Sequence, residues 1–194
     1  MAFIAFLGCD GSGKSAVIAG VRTALEAQGV RVTTGHWRPV AFSNGNQLGA
    51  QGNADDPHGI PPRGTLSSIA KLAWLWCNWW AAWCRQLGKE ARSGMVLYDR
   101  YHIDLTADPR RYRYGGPDWL ARLASKLMPQ PDQVVYLDAS PEVLLSRKRE
   151  VSTESLEKNR ATYLRIAKGH SRFRIVDASR PLEKVIGDVV DGLP

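Results

Sequence analysis

Gly8-Cys9-Asp10-Gly11-Ser12-Gly13-Lys14-Ser15 fills every fixed position of the pattern G-x-x-x-x-G-K-[ST]. A loop of this kind works only between a strand and a helix, so it fixes the local fold on both sides. Phe3 to Leu7, just before it, is the short apolar run expected of a buried parallel strand. From Ala16 to Gln28, just after it, Val17, Ile18, Val21 and Leu25 recur at helical spacing. The glycines let successive backbone N–H groups turn inward around phosphates. Gly8, Asp10, Gly11, Ser12, Gly13, Lys14 and Ser15 are therefore read as a nucleotide triphosphate site. Lys14 is expected at the β- and γ-phosphates and Ser15 at Mg²⁺, with the helix N-terminus adding partial positive charge. An accidental glycine-rich turn is the competing reading, and the flanking pattern argues against it.

The remaining chain alternates strand-like and helix-like runs. Arg31–Trp37, Met95–Tyr98, Gln133–Asp138 and Phe173–Asp177 read as further strands. Helical patterns cover Thr65–Arg92, Pro117–Met128, Pro141–Glu150, Glu154–Lys168 and Pro181–Val190. This order predicts an α/β fold: a parallel sheet with helices on both faces, ligands collecting at the carboxyl ends of the strands. With 194 residues, the expectation is a single domain over 1–194.

The chain carries 26 Lys+Arg against 19 Asp+Glu, a net charge of +7. Such a field attracts phosphorylated ligands, nucleic acid or an anionic membrane face without choosing among them. Of three cysteines, Cys77 and Cys84 stand roughly 10 Å apart along one helix, too far for a bridge, and Cys9 lies in the loop. Met1 leads directly into the first strand with no export signal, so a cytoplasmic location is expected. The four histidines show no metal-ligand spacing.

Two segments stand outside the alternation. Residues 38–64, rich in Gly, Pro, Asn and Asp, read as a substrate-side loop, with a mobile insertion as the alternative. The helix from Thr65 carries five tryptophans. Ile69, Leu72, Trp76, Trp79, Trp80 and Trp83 fall on one stripe while Trp74 points elsewhere. Core packing plus a subunit interface, giving a possible homodimer, is the leading reading. Lys71 and Asn78 interrupt the apolar stretch, which falls short of the ~20 residues that span a bilayer.

Tyr98-Asp99-Arg100-Tyr101 closes the third strand and faces the same crevice as the glycine loop. Asp99 could hold a metal-bound water or take a proton, and Arg100 could clamp an acceptor phosphate. A buried Asp–Arg pair tying strand to helix is the structural alternative.

Taken together, Phe6 to Ser15, Asp99-Arg100-Tyr101, Pro131-Asp132-Gln133-Val134-Val135-Tyr136-Leu137-Asp138 and Arg147-Lys148-Arg149 resemble the thymidylate kinase family of P-loop kinases. The resemblance implies a three-layer fold around a five-stranded parallel sheet, ATP and Mg²⁺ as donor, and often a homodimer. It places Asp10 towards the acceptor, Arg147 against the adenine ring and Arg149 on the transferring phosphoryl, in a short lid at about 147–156. Lys14, Asp99, Arg147 and Arg149 are then the candidate catalytic residues. Arg100 and Tyr101 are candidate acceptor ligands, and Ser15 and Asp99 candidate metal ligands. Glycine at position 11, where some members carry arginine, resembles the type that supplies its catalytic arginine from the lid. A solvated basic helix end is the alternative for Arg147 to Arg149.

The acceptor half departs from the family. An E-P-G-G-T segment usually follows the second strand; this chain has Gly35-His36-Trp37-Arg38-Pro39-Val40. The arginine-bearing stretch that members carry in the following long helix is missing too, and in place of both signatures stands Asp108-Pro109-Arg110-Arg111-Tyr112-Arg113-Tyr114-Gly115-Gly116, within an acceptor-side loop of 99–116. Arg110, Arg111, Arg113 and Arg38 are candidate acceptor ligands, with Arg63 able to join them; a basic surface turn is the alternative. The leading reading is an ATP-dependent phosphotransferase acting on a small-molecule phosphate acceptor, dTMP first. A sugar or glycan hydroxyl, or a modified base in DNA, is the second, although nucleic acid is not favoured. A nucleotide-binding protein without turnover is the third.

Overall fold

The computed structural model describes residues 2–37, 62–109, 112–147 and 152–194. Five parallel strands form one sheet in the order β2-β3-β1-β4-β5. They are β1 (Ala2–Leu7), β2 (Val32–His36), β3 (Met95–Asp99), β4 (Gln133–Asp138) and β5 (Phe173–Asp177). β1 lies at the centre, with β3 in register on one side (Ile4 beside Leu97) and β4 on the other (Phe6 beside Val135). All six residues of β1 are buried, which accounts for an apolar run without alternation.

α1 (Lys14–Ala27) and α8 (Leu182–Val190) pack together on one face of the sheet. Gly20 permits this approach, because a Cβ there would lie 2.1 Å from Ile186 Cδ1. Against the other face stand α2 (Thr65–Ala82), α3 (Gly88–Ser93), α4 (Ile103–Ala107), α5 (Asp118–Lys126), α6 (Pro141–Arg147) and α7 (Thr153–Lys168). An aromatic cluster fills the space beneath α2, where Phe3 meets Trp79, Trp83, Tyr98 and Tyr101 with ring centroids 5.2–6.4 Å apart.

The expected single helix over Thr65–Arg92 is not continuous. A π turn at Trp83–Leu87 joins α2 to α3. The reason is spacing. Buried residues fall at Ser68, Leu72, Leu75, Asn78, Trp79 and Ala82, and resume at Leu87, Gly88 and Ala91. The step from 82 to 87 is one residue longer than an α-helix tolerates on one face, and a wider turn absorbs it. Gly88 fits beneath the turn, since a Cβ there would lie 3.0 Å from the Trp83 carbonyl oxygen.

The tryptophan stripe is also narrower than expected. Trp79 is fully buried and donates its Nε1–H to the Trp37 carbonyl (3.1 Å), whereas Trp76, Trp80 and Trp83 are half-buried. Trp74 is 58% exposed, on the opposite side. No helix among the described residues is long and apolar enough to cross a membrane. All three cysteines are free.

Candidate active site

The glycine loop leaves β1 at its carboxyl end and turns into α1. Gly11 (φ 83°) and Gly13 (φ 80°) occupy the left-handed region, where a side chain is strained. At Gly11 a Cβ would also lie 2.8 Å from the Leu144 carbonyl oxygen, so a larger residue does not fit this backbone. Inside the curl, Lys14 is only 7% exposed and donates from Nζ to the carbonyls of Gly8 and Cys9, both at 3.0 Å. Burial, reinforced by the Arg100 charge, lowers its pKa from 10.5 to about 8. Burial acts in the other sense on Cys9, whose thiol is raised to about 11.

Asp99, the last residue of β3, faces the start of α1. Its Oδ2 accepts a long hydrogen bond from Ser15 Oγ (3.4 Å), while its buried Oδ1 meets no partner. A hydroxyl beside a carboxylate with an orphaned oxygen is a hard donor set that suits Mg²⁺. Among the described residues there is no cluster of three or more His, Cys, Asp or Glu side chains that could hold a metal.

Arg100 is anchored on two carboxylates. Its Nη2 donates to Asp10 Oδ1 at 2.6 Å and its Nη1 to Asp104 Oδ2 at 2.9 Å. Asp104, 0% exposed, also accepts from Tyr112 (3.2 Å) and Tyr163 (2.8 Å). Burial alone would lower the guanidinium pKa; Asp104, Tyr112 and Asp10 outweigh it and hold the group charged. The residue stands at φ 68°, so its chain turns sharply off β3. Arg100 thus links the end of β3 to the glycine loop through Asp10 and to α4 through Asp104.

Tyr101 corrects an expectation. It is 0% exposed, its ring packs against Trp79 at 4.5 Å, and its hydroxyl donates to the Pro129 carbonyl. The turn at Arg100 sends it into the aromatic layer, so it is a core residue and not an acceptor ligand. Arg113 lines a cavity of about 160 Å³ together with Trp37, Arg63, Lys71, Trp74 and Tyr112. Lys71 Nζ donates to the Tyr112 carbonyl (3.0 Å), and the Trp37 and Tyr112 rings meet at 4.8 Å. The Trp37 amide bonds the Asp99 carbonyl at 2.9 Å, which sets this cavity beside the crevice. Lys71 and Trp37 were not among the expected site residues. The signal for Lys71 was a single cation in an apolar helix.

On the far side, Arg147 Nη1 donates to the Ala178 carbonyl (2.9 Å), tying the end of α6 to the end of β5. Arg160 of α7, unmarked in the sequence, grips Asp138 with two hydrogen bonds of 2.7 Å. Arg38, Arg110, Arg111 and Arg149, with most of the 38–64 loop and residues 148–151 of the lid, lie outside the described residues. The crevice thus joins Lys14, Ser15, Asp99, Asp10 and Arg100.

Compared with known families, residues 80–189 match the model described as thymidylate kinase. That stretch, more than half of the chain, begins near the end of α2 and runs into α8; the glycine loop precedes it.

Proposed function

The chain belongs to the thymidylate kinase family, and on that premise we propose that it passes the γ-phosphoryl group of ATP, with Mg²⁺, to a small acceptor, dTMP first among them. The observation that carries this reading is the convergence of a buried lysine in a glycine nest, a Ser–Asp oxygen pair and a carboxylate-anchored arginine on one crevice. ATP supplies the transferable group, and Mg²⁺ would offset its charge. The nest and Lys14 would hold the β- and γ-phosphates, and Ser15 and Asp99 would hold the ion. Asp10 and Asp104 pair with Arg100 and keep it charged, and in this reading the guanidinium would meet the acceptor's phosphate. Arg147 would lie by the adenine, and Arg149 would supply lid charge. A cytoplasmic location and a homodimer through α2, where Trp74 and Leu66 are exposed, belong to the same reading.

A steady-state assay with purified protein, MgATP and dTMP should show dTMP-dependent release of ADP; its absence rejects dTMP as acceptor. A second reading, transfer to a different acceptor, is favoured by the cavity of Trp37, Arg63, Lys71, Arg113 and Tyr112, whose rings and cations suit a phosphate flanked by a sugar or base. Sugars, nucleosides and oligonucleotides in the same assay test it.

Asp99→Asn should leave ATP affinity within about threefold and lower kcat by roughly 10²-fold or more, as expected when charge at the ion is lost without loss of shape. An unchanged kcat would remove Asp99 from the reaction.

Lys14 gives the pH dependence. Between pH 8 and 10.5 the unfolded chain binds more protons than the folded one, so the ligand-free protein gains stability as pH rises through that window. Nucleotide phosphates reverse the preference by favouring charged lysine. ATP affinity should therefore fall above pH 8, by up to about tenfold per unit, with proton uptake on binding. Calorimetry at pH 8.5 in two buffers of different ionisation enthalpy reads that uptake; identical heats would refute it.

A further inference from the structure

Among α4, α5 and α7, over the starts of β4 and β5, lies a cavity of about 590 Å³. Its floor is formed by Val134 and Phe173, paired neighbours at the starts of β4 and β5, with Ile103 and Ile166 beside them. Arg122 and Lys126 of α5, Arg165 of α7 and Arg172 stand around it. Among the described residues no acidic side chain lines it, and none of these four cations forms an ion pair. The Arg172 side chain donates from Nη1 to the Pro131 carbonyl (3.2 Å). The nearby Asp132 carboxylate accepts from the Phe3 amide (2.8 Å) and is not among the lining residues.

Part of the wall is His102, 3% exposed. Its Nδ1 contacts Ser125 Oγ, and its Nε2 is buried without a partner. Burial lowers its pKa to about 3, so the ring is neutral and carries one hydrogen.

Four like charges facing one hollow repel each other, and an anion shared among them relieves that repulsion. Two or more arginines around one anion favour phosphate, which their forked donors match. The apolar floor, together with His170 against Phe173 (ring centroids 5.9 Å), offers a surface for a flat non-polar body. The volume falls within the range of about 300–1,000 Å³ typical of small-molecule sites.

We propose that this cavity binds a phosphorylated small molecule, its phosphate held by Arg122, Lys126, Arg165 and Arg172 and its ring-bearing body seated on Val134, Ile166 and Phe173. The site is separate from the crevice proposed for phosphoryl transfer and does not depend on that reading.

The test is an NMR titration of the ¹⁵N-labelled full chain with phenyl phosphate. Amide shifts should concentrate at 122–126 and 165–173, and inorganic phosphate should bind at least tenfold more weakly. Arg122→Ala combined with Arg165→Ala, both exposed positions, should weaken phenyl phosphate at least tenfold while leaving the shifts that MgATP induces at 8–15 intact. The proposal is overturned if phenyl phosphate moves no amides at 122–126 and 165–173, or shifts only 8–15. It is overturned equally if the double variant binds as tightly as the parent, or if an oligonucleotide occupies these residues and phenyl phosphate does not. Absence of MgATP shifts at 8–15 would count against the kinase reading alone.

Discussion

Replacing Lys14 by alanine is expected to lower kcat/KM by roughly 10³-fold or more, the scale on which removal of a charge stabiliser at a reacting phosphate is felt. Nothing in the described loop can substitute, because Lys14 is its only cation and already sits inside the curl against Gly8 and Cys9. The same substitution should leave folding nearly unchanged, within about 1–2 kcal/mol. Two effects of opposite sign produce that balance. The folded state disfavours this buried ammonium, as its lowered pKa records, so removal relieves strain on the charge. The Gly8 and Cys9 carbonyls meanwhile lose a donor. Turnover assays beside urea denaturation separate the two readouts. A variant that unfolds in parallel with its loss of activity would make Lys14 a structural residue, and one that keeps wild-type turnover would end the phosphate-loop reading.

Asp104→Ala should be the most destabilising single change in the crevice, at about 3–5 kcal/mol, because it leaves a buried guanidinium short of a partner. The position is fully buried and accepts from Arg100, Tyr112 and Tyr163 together. Its loss removes the carboxylate that two phenolic hydroxyls donate to and leaves Asp10 as the ion-pair partner of Arg100 among the described residues. For a chain of this size the melting temperature should drop by about 10–15 °C. Acceptor KM should rise as well, since Arg100 loses the contact that aims it, while ATP affinity is affected less. A destabilisation below about 1 kcal/mol would show that the pair is solvated and that burial does not govern it.

Much of this was legible in the chain because the relevant signals are local. β4 and β5 begin and end where the apolar runs do, and the glycine loop identified both its strand and its helix. The five-stranded parallel sheet followed from the alternation of elements and from the family resemblance together. What escaped reading has two physical causes. α4 is five residues long, too short to display a helical period, so Asp104 went unnoticed although it stands four residues after Arg100, across the turn that leads from β3 into α4. The contacts of Tyr163 with Asp104 and of Arg160 with Asp138 join residues 59 and 22 apart, and no local pattern announces them. Tyr101 was misplaced because the left-handed turn at Arg100 reverses the side expected from strand alternation.

The widened coil at Trp83–Leu87 lets one rod obey two phases. Upstream, Leu72 and Leu75 set the rotation that lines the cavity of Trp37, Arg63, Lys71, Arg113 and Tyr112; downstream, Leu87 and Ala91 set a different one against the sheet. A residue gained or lost in the upstream half can be taken up at that coil without re-aiming the lower half. The wall of that cavity is therefore free to vary in length while the scaffold beneath it keeps its alignment.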